Sequence, residues 1–217
     1  MRDLPAAPMR PNRAGSVHDG RGATVWFTGL PASGKSTAAA TLANLLEESG
    51  VRCCILDGDA LRTGLCSDLD FSVSGRQENV RRVLEVALIA AQSGLVSLVS
   101  LVSPFAEGRA RARARHEEQG IPFLEVWVST PARECERRDP KGLYSRARRG
   151  ELQDLTGLDD PYEIPSHPDV TIDGSTSTDA SDAAKVILDE LLSLWTPPPR
   201  GIVVSELALS DKGNPQG

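Results

Sequence analysis

The 217-residue sequence has no apolar run close to the roughly 20 residues that a membrane-spanning helix needs, so we expect no integral membrane protein. It also has no excess of basic residues, because 24 Lys and Arg stand against 30 Asp and Glu, a net charge of −6. A general nucleic-acid-binding protein needs a basic surface, so the composition argues against that class. Any anionic ligand must instead meet a local cluster of cations.

Cysteines are few, and none of the four has a C-x-x-C neighbour or a Cys/His spacing typical of a metal site. Cys53 and Cys54 stand together in an apolar run, where we expect them to pack as small core residues. This usage fits a reducing compartment, and we expect a cytoplasmic protein.

Composition divides the chain into three parts. Residues 1–21 are rich in Pro, Arg, Gly and Asp and contain no apolar segment typical of a signal peptide, so we interpret them as a flexible leader. Residues 22–195 are expected to form one folded domain. Residues 196–217 begin with a Pro run and continue with a mostly polar stretch, which predicts a flexible tail in which 202–204 could make a local attachment.

One nine-residue stretch carries the strongest functional signal. The stretch Gly29–Thr37 reads GLPASGKST and matches the phosphate-binding loop G-x-x-x-x-G-K-[S/T], with a β-type run before it and a helix-type run after it. Its backbone N–H groups and the following helix N-terminus can cradle an anion. Lys35 would reach the β- and γ-phosphates, and Ser36 would hold Mg²⁺. The residues assigned to nucleotide binding are Gly29, Leu30, Pro31, Ala32, Ser33, Gly34, Lys35, Ser36 and Thr37.

Strand-type and helix-type segments alternate along the chain, which predicts an α/β fold with a parallel sheet covered on both faces. The interpretation is a P-loop NTPase-type three-layer αβα domain with a five-stranded sheet. Between 65 and 75 little periodicity is present, so a loop is expected there. From about 139 to 165 helix and loop occur without a strand, which is typical of a lid that excludes water. The expected strands lie near 23–29, 52–57, 95–102, 123–128 and 169–172, and the main helices near 36–48, 77–93, 106–119, 131–138 and 179–194.

Acidic residues follow the second strand, at the sheet edge where α/β proteins place ligands. Asp59 could accept the proton of an acceptor hydroxyl, orient that hydroxyl, or lie near Mg²⁺, whereas Asp57 is assigned a structural role. Lys141 in the lid could neutralise charge as the γ-phosphoryl group moves. The phosphate-binding loop, the expected Mg²⁺ site and the cation in the lid are together typical of an enzyme that transfers a phosphoryl group.

A second ligand is indicated by Arg62, Arg76 and Asn79. Two guanidinium groups at short range are costly unless an anion lies between them, which suggests an acceptor that bears phosphate or sulfate. Phe71 and Phe105 could stack on a base, although each taken alone favours a core position. The arginines of the helix near 106–119 are interpreted as a solvated face.

Seven blocks, in this order, resemble the adenylylsulfate kinase family from about residue 22 to residue 194. The phosphate loop alone is shared by many enzymes, whereas the Lys-Gly-Leu-Tyr and Asp-Asp-Pro-Tyr-Glu blocks are more specific. The blocks are Gly29–Thr37, Asp57–Asp59 with Arg62 and Gly64–Leu65, Phe71–Ser72, Arg76–Arg82, Ser103–Phe105, Cys135–Tyr144 and Thr156–Glu163.

The resemblance implies that ATP, with Mg²⁺, donates its γ-phosphate to the 3′-hydroxyl of adenosine 5′-phosphosulfate. It implies catalytic roles for Lys35, Asp59, Ser103 and Lys141, metal roles for Ser36 and Asp59, and a homodimer. Ser103 aligns with a serine described in the family as a phosphoserine intermediate, but the positioned donor and acceptor favour direct in-line transfer. The aligned acceptor positions are Asp59, Arg62, Phe71, Arg76, Asn79, the Val102 backbone, Lys141 and Leu155.

Departures from the family pattern leave two alternatives open. Ala60 stands where the family has Asn, and Leu155 replaces a Phe that stacks on the acceptor adenine, a loss of about 1 kcal/mol or more. The first alternative is therefore a kinase of the same fold with a shifted acceptor. The second is a nucleotide-dependent regulatory module without turnover, which the intact Asp59 and Lys141 and the lack of a GTPase-type Asn-Lys-x-Asp motif disfavour.

Overall fold

The computed structural model describes residues 20–175 and 180–197. The predictions of a leader over 1–21 and of a tail over 196–217, including the attachment at 202–204, fall almost wholly outside these ranges. Within them, no helix is both long enough and apolar enough to cross a bilayer.

Five parallel strands form a single sheet in the order β2-β3-β1-β4-β5, which confirms the α/β prediction. Strand β1 lies at the centre, and every one of its residues is buried. The carboxyl ends of β1, β2 and β3 therefore meet at the edge where ligands bind in such sheets. The strands are β1 Ala23–Thr28, β2 Cys53–Asp57, β3 Val96–Ser100, β4 Phe123–Val128 and β5 Val170–Ile172.

The described residues form seven helices, two of which differ from the sequence prediction. Helix α3 begins at Val73 rather than near 77, because the Ser72 side chain caps it by accepting from the Gly75 N–H. The short α2 was not predicted, and it begins where the Asp57 side chain accepts from the Asp59 N–H. The helices are α1 Lys35–Glu48, α2 Gly58–Arg62, α3 Val73–Gln92, α4 Ala106–Glu118, α5 Ala132–Arg138, α6 Leu143–Arg148 and α7 Ala180–Leu194.

Two hydrophobic clusters cover the two faces of the sheet. One face packs against α1 and α7, and the other packs against α3 and α4. The alternating side chains of β1 divide between them, so that Phe27 lies in the first cluster and Trp26 in the second. Because β1 and α1 are both held by this packing, the loop that joins them has a fixed position at the carboxyl end of the sheet.

Strand β2 is less buried than its apolar sequence suggested. It lies at the sheet edge and pairs only with β3, so Ile55 is 44% exposed. Cys53 and Cys54 are half-buried free thiols, and the prediction that both are core residues is wrong. Burial raises the pKa of the Cys53 thiol to about 11, which keeps it protonated.

Candidate active site

A cleft of about 730 Å³ opens at the carboxyl ends of the strands. It contains six of the nine loop residues, whereas Gly29, Leu30 and Ser33 do not line it. It also contains every other residue predicted for the catalytic and acceptor sites. These are Asp59, Arg62, Phe71, Arg76, Asn79, Val102, Ser103, Lys141 and Leu155.

The loop shape depends on two glycines. A Cβ atom at Gly29 would lie 2.7 Å from the Val128 carbonyl oxygen, so only glycine fits there. Gly34 precedes α1 with a φ of 105°, in the region that favours glycine. The buried Ser33 anchors the loop, because its carbonyl oxygen accepts from Thr130 Oγ1 at 2.7 Å. This bond attaches the loop to the domain on the side away from the cleft, while six other loop residues line the cleft and can contact a ligand.

Lys35 lies buried beneath the loop. Its ammonium donates to the Gly29 carbonyl oxygen at 2.9 Å and to the Leu30 carbonyl oxygen at 2.6 Å. Burial lowers the pKa of Lys35 to about 8, and the negative charge of nearby Asp57 offsets part of this shift by raising the pKa. An arriving polyphosphate would supply the negative charge that this buried ammonium lacks.

Ser36, the second residue of α1, contacts a carboxylate that the sequence had not assigned to it. Ser36 Oγ donates to Asp57 Oδ2 at 2.6 Å, whereas Asp59 forms an ion pair with Lys141 of the lid. The structural role assigned to Asp57 is therefore incomplete, since Asp57 rather than Asp59 reaches the loop hydroxyl. The pair offers hydroxyl and carboxylate oxygens, which suit a hard cation such as Mg²⁺ that keeps several of its waters. In 20–175 and 180–197 no cluster of three or more His, Cys, Asp and Glu forms a metal site.

Phe71 is a surface of the cleft rather than a core residue. It is 51% exposed, and the Arg62 guanidinium lies 4.2 Å from its ring centroid. Arg76 lies 5.7 Å from the same ring. The core alternative is wrong for Phe71, because the chain bends there to begin α3. Phe105 is half-buried at the start of α4 and does not line the cleft.

Asn79 carries an unsatisfied donor inside the cleft. The residue is 6% exposed, and its Nδ2 atom has no hydrogen-bond partner within the described residues. Buried polar groups are almost always paired, so this amide needs an acceptor atom that a ligand or a water would supply.

Arg76 connects the body of the domain to the lid. Its guanidinium donates to Thr156 Oγ1 at 2.6 Å and to the Asp154 carbonyl oxygen, and it lies 3.5 Å from Asp160. Asp154 has a φ of 59°, a strained value for a residue with a side chain. The predicted acceptor residue thus also holds the lid in its present position.

The lid has a small apolar cluster of its own, built around Cys135, Tyr144 and Leu155. Tyr144 also donates from its hydroxyl to the Pro31 carbonyl oxygen at 3.2 Å, which joins the lid to the phosphate loop. Leu155 is 6% exposed and faces both this cluster and the cleft. An aliphatic side chain therefore forms this part of the cleft wall, where the sequence predicted an acceptor contact.

Ser103 lies 3% exposed in a left-handed conformation with a φ of 40°. Its hydroxyl oxygen accepts from Trp26 Nε1 at 3.1 Å, and the hydroxyl donates to Thr28 Oγ1 at 3.0 Å. Thr28 in turn donates to the Val102 carbonyl oxygen at 2.8 Å. The Ser103 hydroxyl is thus engaged on both sides, and its assignment as a covalent intermediate stays a prediction.

Arg109 was missed in the sequence, where the arginines of α4 were interpreted as a solvated face. It is 3% exposed and donates to Glu125 Oε1 at 2.8 Å, to the Ser103 carbonyl oxygen at 2.7 Å and to the Glu163 carbonyl oxygen at 2.6 Å. The solvated-face interpretation is wrong here, because Glu125 in β4 provides a buried partner. A lone acidic residue within an otherwise apolar strand was the available signal.

Two further cations line the cleft without having been singled out in the sequence. Arg138 on α5 pairs with Glu134 and donates to the Gly174 carbonyl oxygen. Arg146 lies on the lid helix α6. The cleft is therefore richer in positive charge than the motifs alone indicated, although the protein as a whole is acidic.

A family model described as Adenylylsulphate kinase matches residues 21–173. Among curated relatives, the adenylyl-sulfate kinase of Citrobacter koseri is 50% identical over 159 residues, covering 73% of this chain and 78% of that protein. The bifunctional enzyme CysN/CysC of Mycobacterium tuberculosis is 49% identical over 173 residues, which cover 80% of this chain and only 28% of that larger protein.

Among solved structures, the Mycobacterium tuberculosis APS kinase CysC in complex with AMPPNP and APS matches with a TM-score of 0.76. It is 47% identical, and the match covers 79% of this chain and 98% of that one. The similarity therefore extends over nearly the whole of the described α/β domain.

Proposed function

The chain belongs to the adenylylsulphate kinase family, and we propose that it transfers the γ-phosphate of ATP to the 3′-hydroxyl of adenosine 5′-phosphosulfate. The products are ADP and 3′-phosphoadenosine 5′-phosphosulfate. This reaction accounts for both halves of the cleft, one of which suits a polyphosphate and the other an anionic nucleotide.

The observation that carries the proposal is that one cleft joins the phosphate loop to the Phe71 platform. Lys35 and Ser36 of the loop line the same cleft as Arg62, Phe71 and Asn79 of the predicted acceptor site. The nearby guanidinium groups and the unsatisfied Nδ2 of Asn79 suit a ligand that presents an anion and polar acceptor atoms. A kinase for an uncharged small acceptor would not need them.

The donor half would bind ATP through the loop amides and Lys35. The Lys35 ammonium, now bonded to two loop carbonyl oxygens, would stabilise the charge that develops on the β–γ bridge as the bond to the γ-phosphorus breaks. Ser36 and Asp57 would hold Mg²⁺, which supplies charge neutralisation of the phosphates when it is bound. Positioning and electrostatic stabilisation account for most of the catalysis in such transfers.

The acceptor oxygen would be oriented by the Asp59–Lys141 pair, both members of which line the cleft. The Asp59 carboxylate would accept the proton of the 3′-hydroxyl as that oxygen attacks the γ-phosphorus. Lys141 would then turn to the transferring group, since both side chains are more than half exposed and can rearrange. Lid closure over the two nucleotides excludes water as a competing acceptor.

The proposal also covers the oligomeric state, the cellular location and the partners of the protein. We propose a homodimer, as the family resemblance implies, and a cytoplasmic enzyme. We propose no nucleic-acid partner, because the net charge of −6 disfavours a polyanion outside the cleft.

The test is a coupled ADP-release assay with ATP and Mg²⁺, with and without adenosine 5′-phosphosulfate. The expected result is ADP release that depends on this acceptor and is lost in Lys35→Ala, whose folding is checked by circular dichroism. Stimulation by a different hydroxyl compound alone would instead indicate a shifted acceptor, and nucleotide binding without turnover would indicate a regulatory module. Normal turnover by Lys35→Ala would overturn the proposal.

A further inference from the structure

Six basic side chains line the cleft, and they differ in what neutralises them. Arg76, Arg138 and Lys141 each pair with a carboxylate. Lys35 and Arg62 donate to backbone carbonyl oxygens. The sixth is Arg146, whose side chain makes no hydrogen bond and no ion pair within the described residues.

The two arginines that follow Arg146 at the end of the lid segment each have a carboxylate partner. Arg148 pairs with Glu136 at 2.9 Å, and Arg149 pairs with Glu151 at 2.7 Å. Neither of these arginines lines the cleft. The lid helix thus pairs Arg148 and Arg149 directly with carboxylates, whereas Arg146, which lines the cleft, has among the described residues only the longer-range attraction of Glu151, a carboxylate already bonded to Arg149.

The backbone contacts of Arg146 connect it to the residues of the predicted acceptor site. Its carbonyl oxygen accepts from the Glu151 N–H at 3.0 Å, so the segment 152–154 that follows runs beside it and lines the cleft. The carbonyl oxygen of Asp154 in that segment is bonded to Arg76, which lies beside the Phe71 ring. Arg146 therefore lines the same cleft as Phe71, and the segment 152–154 connects the two through Arg76.

We infer that Arg146 is an acceptor-binding residue that contacts the phosphosulfate group of the acceptor, an inference that rests on the proposed function. The acceptor carries negative charge on both its phosphate and its sulfate, and Arg62 can approach from the body of the domain while Arg146 approaches from the lid. A guanidinium is suited to such an oxyanion because it presents several N–H donors in a fixed plane. Acceptor binding would then draw the lid over the cleft.

The test compares Arg146→Gln, Arg146→Lys and the matched control Arg148→Gln, which removes the same charge from the same helix outside the cleft. In Arg146→Gln we expect the KM for adenosine 5′-phosphosulfate to rise roughly tenfold, the loss typical of a charge-assisted hydrogen bond. The KM for ATP and kcat should change less than about twofold. Arg146→Lys should recover part of the loss, and Arg148→Gln should behave as the wild type.

A second readout separates the contact with the anion from a general effect on the lid. AMP and adenosine are compared as inhibitors competitive with the acceptor, because they differ only in the 5′-phosphate. Inhibition by AMP should weaken in Arg146→Gln, whereas inhibition by adenosine should stay unchanged. Equal losses for both, an unchanged acceptor KM, or an effect as large in Arg148→Gln would overturn the inference. A wild-type protein without acceptor-dependent turnover would overturn the proposed function itself.

Discussion

The buried ion pair between Arg109 and Glu125 gives a prediction whose size follows from the structure. Replacing Arg109 by Met keeps much of the side-chain volume but removes three donors, leaving the Ser103 and Glu163 carbonyl oxygens without them. Breaking one side of a buried pair costs about 3–5 kcal/mol. We expect the lower end, about 3 kcal/mol, because Arg113 lies 3.7 Å from Glu125 and partly compensates it.

The assay is urea denaturation followed by tryptophan fluorescence, supported by thermal melting. A loss of about 3 kcal/mol corresponds to a fall of roughly 6–12 °C in Tm for a domain of this size. The matched control is Arg115→Met on the same helix, where the ion pair is 40% exposed and the expected change is within about 0.5 kcal/mol. If Arg109→Met lost less than about 1 kcal/mol, or no more than Arg115→Met, the assignment of Arg109 as a buried anchor would be refuted.

Two further predictions concern the cleft. Because the pKa of buried Lys35 is about 8, its ammonium is present below that pH and lost above it, so kcat/KM for ATP should fall roughly tenfold per pH unit beyond it. A flat profile up to pH 9.5 would contradict this. Under the proposed direct transfer, the wild type should show no labelled phosphoenzyme and Ser103→Ala should retain turnover within about tenfold, while the unpaired Trp26 N–H should cost about 1–3 kcal/mol of stability. Complete loss of turnover in a folded Ser103→Ala protein would favour the covalent route.

The fold was predictable where local patterns and the sheet rules act together. The phosphate loop motif required a strand before it and a helix after it, and β1 and α1 lie there. The burial of β2 was misjudged, because an edge position depends on strand order and not on the strand's own residues. The start of α3 could have been read from Ser72, which has the residue type typical of a helix N-cap.

The identity of most cleft residues could be predicted from the sequence, but the hydrogen bonds between them could not. The sequence identified Asp59, Arg76 and Lys141, yet it could not show that Arg76 bonds to the lid, since those partners lie about 80 positions further on. It also gave Asp57 too small a role, because the contact with Ser36 joins two different strand–helix connections. Such long-range pairings depend on packing that no local pattern records.

The most direct test of the central claim follows the phosphate itself. The protein is incubated with ATP labelled in the γ-phosphate, Mg²⁺ and adenosine 5′-phosphosulfate, and the labelled product is identified by chromatography before and after treatment with a 3′-nucleotidase. The account predicts that the label enters 3′-phosphoadenosine 5′-phosphosulfate and is released by the 3′-specific enzyme. Label that appears only in inorganic phosphate, or in a nucleotide that resists this treatment, would contradict it.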